Sequence, residues 1–126
     1  MNRRVLIAED DHYYQTLLVN FFNKNNYETV PVFNGDSVIE SFIESSFDLA
    51  IISFNLPGKK GDEIMRIVNR ELIETPIIII TADDSIEKER FIRSYGPAYL
   101  FIKPFSMDNM GKVIKRIFSK EKAKYI

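Results

Sequence analysis

The sequence predicts an α/β fold in which helices cover both faces of a parallel sheet. Short apolar segments rich in β-branched residues recur five times along the 126-residue chain, and each is followed by a stretch in which apolar residues have helical spacing. Strands that alternate with helices connect through right-handed crossovers, which produce a parallel sheet with helices on both sides. A chain of this length forms one ordinary domain.

The order of the strands follows from their composition. The first, third and fourth strands are almost continuously apolar, as central strands buried on both faces should be. The second contains Pro31, which cannot donate a ladder hydrogen bond and therefore favours an edge. The fifth is short and follows a Gly-Pro pair, so we place it at the other edge. The strands are predicted at 4–8, 27–33, 49–54, 76–81 and 99–102, in the order 2-1-3-4-5, which is the flavodoxin-like (βα)5 doubly wound arrangement.

Five helices are predicted from apolar residues that recur three and four positions apart. The last four are expected at 35–45, about 62–72, about 85–95 and 106–119. The residues assigned to the inner faces are Tyr14, Leu17, Leu18, Phe21 and Phe22 in the first helix, Val38, Ile39, Phe42 and Ile43 in the second, Ile64, Ile67, Val68 and Leu72 in the third, and Met110, Val113, Ile114, Ile117 and Phe118 in the fifth.

Composition excludes several classes of function. The chain has 17 basic and 18 acidic residues and a net charge of −1, so it lacks the concentrated basic field that nucleic acids and anionic membranes attract. The absence of cysteine excludes disulfides, thiolate catalysis and cysteine-ligated zinc. The apolar run at 76–80 is too short to span a bilayer, and charge interrupts the amino terminus too early for a signal peptide. We therefore expect a cytoplasmic protein that does not bind membranes.

Two enzyme classes are also excluded. His12 is the only histidine and is expected to be an exposed first-turn residue, and the residues around Ser53 do not form a G-x-S-x-G elbow, so a Ser-His-Asp hydrolase is excluded. The chain has neither a G-x-G-x-x-G motif nor a Walker A loop, so nucleotide binding has no support.

Polar residues follow the carboxyl ends of four predicted strands. In an open α/β sheet these ends form the functional edge, with the switch point between strands one and three. Clustered carboxylates repel one another unless an ammonium group or a hard cation such as Mg²⁺ compensates them. A metal, a hydroxyl and an ammonium around a phosphate are typical of phosphoryl transfer. The candidate residues are Glu9, Asp10 and Asp11, then Ser53 and Asn55, then Thr81, and finally Lys103 and Pro104.

Over residues 3–119 the chain resembles the CheY-like receiver domain of bacterial two-component response regulators. The resemblance is carried by the segments VLIAEDD, FDLAIISFNLPGKKG, TPIIIITA and KPF, in this order and at these spacings. It implies that Glu9, Asp10 and the backbone carbonyl of Asn55 are the equivalents of a Mg²⁺ site. It also implies that Thr81 and Lys103 contact a phosphoryl group, and that Pro104 follows a cis bond.

The chain departs from the family pattern at three places. Ser53 occupies the position of the phosphoacceptor aspartate, and a hydroxyl would need a general base, which Glu9 or Asp10 could supply. The missing carboxylate should also weaken Mg²⁺ binding. Leu100 stands at the position of the switch aromatic, with the tyrosine displaced to Tyr99 and therefore on the opposite sheet face. Two lysines at 59–60 replace an acidic residue that often precedes the following glycine.

These observations predict a pseudo-receiver, which is a phosphorelay signal transduction domain that acts by protein–protein interaction and is not an enzyme. Two alternatives remain: a phosphorylation-competent receiver that uses Ser53 or another residue, and the regulatory fragment of a longer DNA-binding response regulator. Residues 3–119 are expected to form the receiver-like domain, and residues 120–126 are expected to be a polar C-terminal tail or the start of a linker.

The resemblance implies an output face on residues of about 85–119, where the expected partner would dock: a sensor kinase, an output domain or a second copy in a homodimer. This output face offers Arg90, Arg93, Lys112 and Lys115 beside apolar Phe91, Ile114 and Phe118. The domain alone should not bind nucleic acid, because it has no basic recognition helix. A weakly bound Mg²⁺ is the only cofactor considered.

Overall fold

In the computed structural model, residues 2–124 are described, with side chains from 2 to 120. Strands and helices alternate through this range as predicted. The elements are β1 (Arg4–Ala8), α1 (His12–Lys24), β2 (Glu28–Val32), α2 (Gly35–Glu44), β3 (Leu49–Ser53), α3 (Gly61–Arg70), β4 (Ile77–Thr81), α4 (Ile86–Arg93), β5 (Tyr99–Ile102) and α5 (Met107–Lys124).

The strands form one parallel sheet in the order β2-β1-β3-β4-β5, which confirms the predicted flavodoxin-like topology. Pro31 lies in β2 opposite Ile7, on the edge strand where a missing amide is tolerated. Every residue of β3 and β4 is buried, as their continuous apolar sequences require.

Side chains of each strand point alternately into two cores. On β1, Leu6 and Ala8 face one core, and Val5 and Ile7 face the other. The first core is closed by α2, α3 and α4, through residues such as Val38, Ile64 and Ile92. The second core is closed by α1 and α5, through residues such as Leu18, Phe22, Met110 and Phe118. The carboxyl edge of the sheet is therefore held from both sides.

Two apolar residues predicted on inner faces are instead exposed. Helix α3 ends at Arg70, and Leu72 follows it in a left-handed conformation with φ of 54° and an exposed fraction of 83%. The helical spacing of apolar residues in the sequence therefore extends to Leu72, two residues past the end of the helix. Ile43 is also exposed, because it follows Val38 by five residues and at about 100° per residue points about 140° away from it.

Helix α5 differs from its prediction at its end and on its surface. Its backbone continues to Lys124, past the predicted end at 119, and residues 125–126 of the predicted tail lie outside the described residues. Ile114 and Phe118 are buried in the core, so their assignment to a docking surface was wrong. Their spacing of four residues places both on the inward face of the helix. None of the helices described within 2–124 combines the length and apolarity needed to cross a membrane.

Candidate functional site

The carboxyl ends of β1, β3, β4 and β5 bring four of the predicted polar residues to the same edge of the sheet. Ser53 is the last residue of β3 and lies opposite Ile80 of β4, and Thr81 ends β4 opposite Ile102. Glu9 and Lys103 each follow the last residue of a strand. Glu9, Ser53 and Thr81 are all buried, at 0%, 5% and 3% exposure. Such burial of polar groups at one edge is typical of a functional site rather than of solvated strand ends.

Glu9 and Lys103 form an ion pair inside this site. Lys103 Nζ lies 3.0 Å from Glu9 Oε2, and the lysine side chain is 15% exposed. The other carboxylate oxygen, Oε1, accepts a hydrogen bond of 3.0 Å from the backbone amide of Asp11. Oε2 is buried and has no hydrogen-bond partner among the described residues, so the ammonium group alone compensates it. Both oxygens of Glu9 are therefore engaged.

The protonation of Glu9 reflects this environment. Burial raises the pKa of the Glu9 carboxyl above its usual value, while the Asp11 amide and the Lys103 ammonium offset part of that increase. The neighbouring charge of Asp10 adds a smaller increase to the same pKa. Burial and the Lys103 ammonium group therefore act on the pKa of Glu9 in opposite directions, and burial has the larger effect.

Tyr14 also fixes the position of Lys103. The ammonium group lies 4.5 Å from the centre of the Tyr14 ring, within cation–π range, and that ring packs at 5.4 Å against Phe105. The sequence placed Tyr14 only on the inner face of helix one. Its contact with Lys103 could have been inferred from its position. Tyr14 follows Glu9 by five residues and lies in the first turn of α1, and this turn faces the end of β5.

The acidic run after β1 is divided between two tasks. Asp11 caps α1, because its Oδ1 accepts a hydrogen bond of 3.2 Å from the amide of Tyr14. Asp10 is exposed. Only Glu9 and Asp10 are therefore left for the site. His12 is the exposed first residue of α1, as predicted.

Gln15 is a second residue that the sequence did not reveal. Its Nε2 donates hydrogen bonds to the backbone carbonyls of Glu9, at 3.1 Å, and Val32, at 3.2 Å. Gln15 is buried and so ties the ends of β1 and β2 to α1. Since glutamine is common on solvated helix faces, its sequence position gave no indication of this role.

Thr81 ends β4, and Pro104 follows Lys103 just after β5. Thr81 Oγ1 accepts a hydrogen bond of 3.1 Å from the amide of Asp83, which fixes the hydroxyl at the start of the loop before α4. The Lys103–Pro104 peptide bond is cis, as the resemblance implies.

The magnesium site implied by the resemblance has a reduced set of donors. Two carboxylates, Glu9 and Asp10, and the backbone carbonyl of Asn55 are the oxygens concerned. Among the residues described, no three acidic, histidine or cysteine side chains gather as metal ligands. Mg²⁺ is commonly held by one or two carboxylates together with waters, so these oxygens are of the kind that the implied site needs. Glu9 Oε1 already accepts from the Asp11 amide, and Oε2 faces the Lys103 ammonium group.

Leu100 and Tyr99 occupy opposite faces of β5. Leu100 is buried in the core closed by α4, where Ile92 also lies. Tyr99 is partly exposed and packs at 4.8 Å against Phe101, which belongs to the other core. An aromatic side chain is thus absent from the Leu100 position and present on the face away from α4.

Phe54 connects the site to α4 instead. Its ring lies edge-on to Phe91, at 6.1 Å, and Lys88 Nζ lies 5.1 Å from the centre of the Phe54 ring. Gly61 makes room for this ring, because a Cβ at that position would lie 2.3 Å from Phe54 Cδ2. The residue directly after Ser53 is therefore packed between α3 and α4.

The two lysines of the loop after β3 contact this loop and the start of α2. Lys60 Nζ donates a hydrogen bond of 2.9 Å to the carbonyl of Leu56, and Lys59 Nζ lies 3.9 Å from Asp36 at the start of α2. The amide of Gly35 also donates to the carbonyl of Pro57, at 2.9 Å. This loop is thus fixed to α2.

Comparison with known proteins agrees with this geometry. The response regulator receiver domain family matches residues 5–115. The chain is 28% identical over 119 residues to sporulation initiation phosphotransferase F of Bacillus subtilis strain 168, with 92% of this chain and 94% of that protein covered. It is 31% identical over 122 residues to transcriptional regulatory protein CrdR of Helicobacter pylori, with 94% of this chain and 56% of that protein covered.

A solved structure shows the same likeness. The receiver domain of the Francisella response regulator 1452 superposes with a TM-score of 0.88 at 26% identity, over 95% of this chain and 99% of that one. The chain spans nearly all of the phosphotransferase but about half the length of CrdR. On the family match and these likenesses, the chain belongs to the response regulator receiver domain family.

Proposed function

We propose that this chain is a pseudo-receiver, which transmits signals by protein–protein contact without phosphorylation at Ser53. The observation that carries the proposal is the pairing of Glu9 with Lys103 beside a serine at the end of β3. In this arrangement the hydroxyl, the carboxylate and the ammonium group are all present, but the last two are bound to each other.

Ser53 lacks the groups that would activate it. A serine hydroxyl is a weak nucleophile and needs a general base within hydrogen-bond reach. Glu9 accepts from the Asp11 amide through one oxygen and faces Lys103 through the other, so its carboxylate already has two partners other than Ser53. Asp10 is exposed, and a solvated carboxylate is a poor base for an alcohol. These contacts support a non-reactive Ser53.

The metal centre is weakened by the same contacts. Receiver domains commonly bind Mg²⁺ at their phosphorylation site, and here Asp10, the carbonyl of Asn55 and, less well, Glu9 would hold it. When bound, the ion would supply positive charge to the oxygens of a phosphoryl group. Lys103 balances the charge of Glu9 without a metal. This balance supports a domain that is stable without Mg²⁺.

Intact mass after incubation with Mg²⁺ and acetyl phosphate tests the proposal. Wild type, Ser53→Asp and Ser53→Ala are run side by side, with circular dichroism as the control for folding. We expect wild type and Ser53→Ala to remain unmodified and Ser53→Asp to gain a phosphoryl group, since an aspartate attacks as a preformed anion. If wild type gains mass and Ser53→Ala does not, Ser53 is a working acceptor and the proposal fails.

A longer protein is the second candidate, and the match to about half of CrdR favours it. In that case the proposed domain, residues 3–119, would regulate a transcriptional output domain that follows it. The reading frame downstream of Ile126 tests this alternative directly. The isolated domain should then show no binding to duplex DNA by fluorescence anisotropy.

A further inference from the structure

A cleft opens at the amino edge of the sheet, opposite the edge that holds Glu9 and Lys103. This amino-edge cleft has a volume of about 680 Å³ and lies between the end of α2, the residues before β3 and the connection from α3 to β4. A partner bound there would therefore not touch Ser53. Half of the ten residues that line the cleft are apolar, namely Phe42, Phe47, Leu72, Ile73 and Pro76.

Leu72 is the most exposed apolar residue of the cleft and has an unfavourable backbone conformation. Its exposed fraction is 83%, and its φ of 54° lies in the left-handed region that glycine prefers. Neither the core nor the end of α3 requires a leucine here. Such local conflicts are expected at functional positions, and a partner that covered Leu72 would bury the side chain that the isolated domain leaves in water.

The charged residues of the cleft are all acidic. Asp48 and Glu74 line it, and no lysine or arginine does so among the residues with described side chains. Both acids are exposed, and neither belongs to an ion pair in that part of the chain. The guanidinium group of Arg4 lies 5.2 Å from the centre of the Phe47 ring, but its Nε pairs with Glu28, at 3.3 Å. The cleft therefore has an excess of negative charge.

Two helices end beside the cleft and add to this charge. Helix α2 ends at Glu44 and α3 at Arg70, and the carboxyl end of a helix carries a partial negative charge. A basic residue in the last turn would compensate it, but α2 has none there and ends on an acid. On α3, Arg70 lies in the last turn and pairs with Glu71, at 3.1 Å. The negative end of α2 is therefore left for a cation from outside the domain.

Backbone groups around the cleft are hydrogen-bonded within the domain. The amide of Ile73 donates to a carbonyl of α3, at 3.0 Å, and the carbonyl of Pro76 accepts from the amide of Ala50, at 3.1 Å. Thr75 Oγ1 donates to the carbonyl of Phe47, at 3.1 Å. These pairings disfavour an added strand, which needs free backbone partners. A partner helix satisfies its own backbone and binds through side chains, so it suits this surface.

A smaller cavity extends the cleft toward β5. It has a volume of about 220 Å³, shares residues 73–76 with the cleft and reaches Asn69, Gly96 and Ala98. Glu74 lines both cavities, and within the described side chains no basic residue lines either. The combination of apolar and acidic groups therefore continues along the connection from α3 to β4.

We infer that the amino-edge cleft binds a basic amphipathic helix of a partner protein, with apolar side chains on Leu72 and Phe42 and lysines or arginines beside Asp48 and Glu74. The inference deepens the proposed function and rests on it, because a domain that signals by contact alone needs a surface for its partner. The net charge of the whole chain is −1, so the acidic cleft is a local feature and not part of a strongly acidic surface. Its residues, between 42 and 76, lie outside the predicted output face at about 85–119.

A labelled model peptide tests the inference on the full 126-residue chain. The probe is a fluorescein-tagged helical peptide of about 14 residues, with leucines three and four positions apart and lysines between them. The control peptide carries glutamates in place of the lysines. Binding is measured by fluorescence anisotropy at low ionic strength, without phosphodonor, and the contacted residues are mapped by amide chemical shifts.

Matched double variants separate binding in the cleft from general charge effects. Asp48→Asn/Glu74→Lys should weaken binding of the basic peptide about tenfold or more, because one attractive contact is lost and another becomes repulsive. The asparagine can still accept the hydrogen bond of 2.8 Å that the Arg4 amide donates to Asp48. Asp84→Asn/Glu87→Lys makes the same charge change on exposed residues at the opposite edge and should alter affinity by no more than about twofold.

Leu72→Gly tests the apolar part of the contact without weakening the fold. It removes an exposed side chain and relieves the left-handed backbone, so the domain should unfold at a higher urea concentration. Affinity for the basic peptide should nevertheless fall about fivefold or more, because the leucine no longer contributes buried apolar area. Loss of binding in a more stable domain cannot be attributed to unfolding.

Several results would overturn the inference. These are equal affinity for both peptides, equal effects of the two double variants, unchanged affinity in Leu72→Gly, or shift changes confined to α1, α4 and α5. Self-association by sedimentation that Asp48→Asn/Glu74→Lys removes, with no peptide binding, would assign the cleft to a second copy instead. Phosphorylation of Ser53 with peptide binding intact would defeat only the proposed function. An unmodified Ser53 with no peptide binding would defeat only the inference.

Discussion

The substitution Lys103→Met removes the charge that compensates Glu9 and should destabilise the protein. The Glu9 side chain is fully buried and that of Lys103 is 15% exposed, so water does little to replace the lost ammonium group. Breaking one side of a buried ion pair costs about 3–5 kcal/mol, because an uncompensated charge remains. Glu9 keeps its hydrogen bond from the Asp11 amide and can bind a proton, so we expect about 3 kcal/mol near neutral pH.

The cost should depend on pH in a definite direction. The pKa of Glu9 already lies above its usual value of 4.5 in the folded wild type, and loss of Lys103 should raise it further. A folded-state pKa above the unfolded one means that the folded state holds the proton more tightly. The stability that this provides is complete below about pH 4.5 and is lost as the pH rises through the folded pKa. The penalty of Lys103→Met should therefore shrink as the pH falls toward 4.5.

Urea unfolding followed by far-ultraviolet circular dichroism measures these free energies over a pH series. Glu9→Gln and the double variant complete a thermodynamic cycle and isolate the pairwise coupling. Arg66→Met is the matched control, because it breaks an exposed pair with Asp62 and should cost no more than about 0.5 kcal/mol. If Lys103→Met costs no more than this control at every pH, the pair is screened by water and the reasoning is refuted.

Three further substitutions test local features by the same unfolding measurement. Gly61→Ala should cost about 1–3 kcal/mol, because the new Cβ would lie 2.3 Å from the Phe54 ring; an unchanged midpoint would show that the ring moves freely. Leu72→Gly should stabilise by about 1 kcal/mol, since an exposed residue leaves a left-handed conformation that glycine tolerates, and Leu72→Ala, the control, should have little effect. Asp11→Ala should cost about 1 kcal/mol through loss of the α1 cap on Tyr14, whereas Asp11→Asn should retain most of it.

The topology could be predicted from the sequence because a strand that is buried on both faces of the sheet has an almost entirely apolar composition. The strands that became β3 and β4 contain no charged residue, and Pro31 identified the edge strand. Helix ends were harder to predict. Leu72 has the spacing of an inner-face residue, but it lies after the end of α3 in a left-handed conformation. A glycine at this position would have indicated the end of the helix in the sequence, and a leucine does not.

The site was predictable in its members but not in its contacts. Glu9, Ser53, Thr81 and Lys103 reach one edge because parallel strands end together, and this follows from strand order alone. The pairing of Glu9 with Lys103 depends on how a long flexible side chain lies over the Tyr14 ring, and strand order does not determine this.

Gln15 shows the same limit for a buried polar residue. Its hydrogen bonds go to backbone carbonyls, which every residue type has. The identity of the partner residues therefore does not indicate this contact in the sequence.

The packing of Phe54 has a consequence for the proposed pseudo-receiver. On that proposal, Ser53→Asp would supply the missing carboxylate, whereas the neighbouring Phe54 ring would still pack against Phe91 and Lys88. Leu100 would still leave the face of β5 toward α4 without an aromatic side chain that could change its rotamer. We therefore expect Ser53→Asp alone to restore phosphorylation without restoring a conformational change. A second substitution would be needed for the change in conformation.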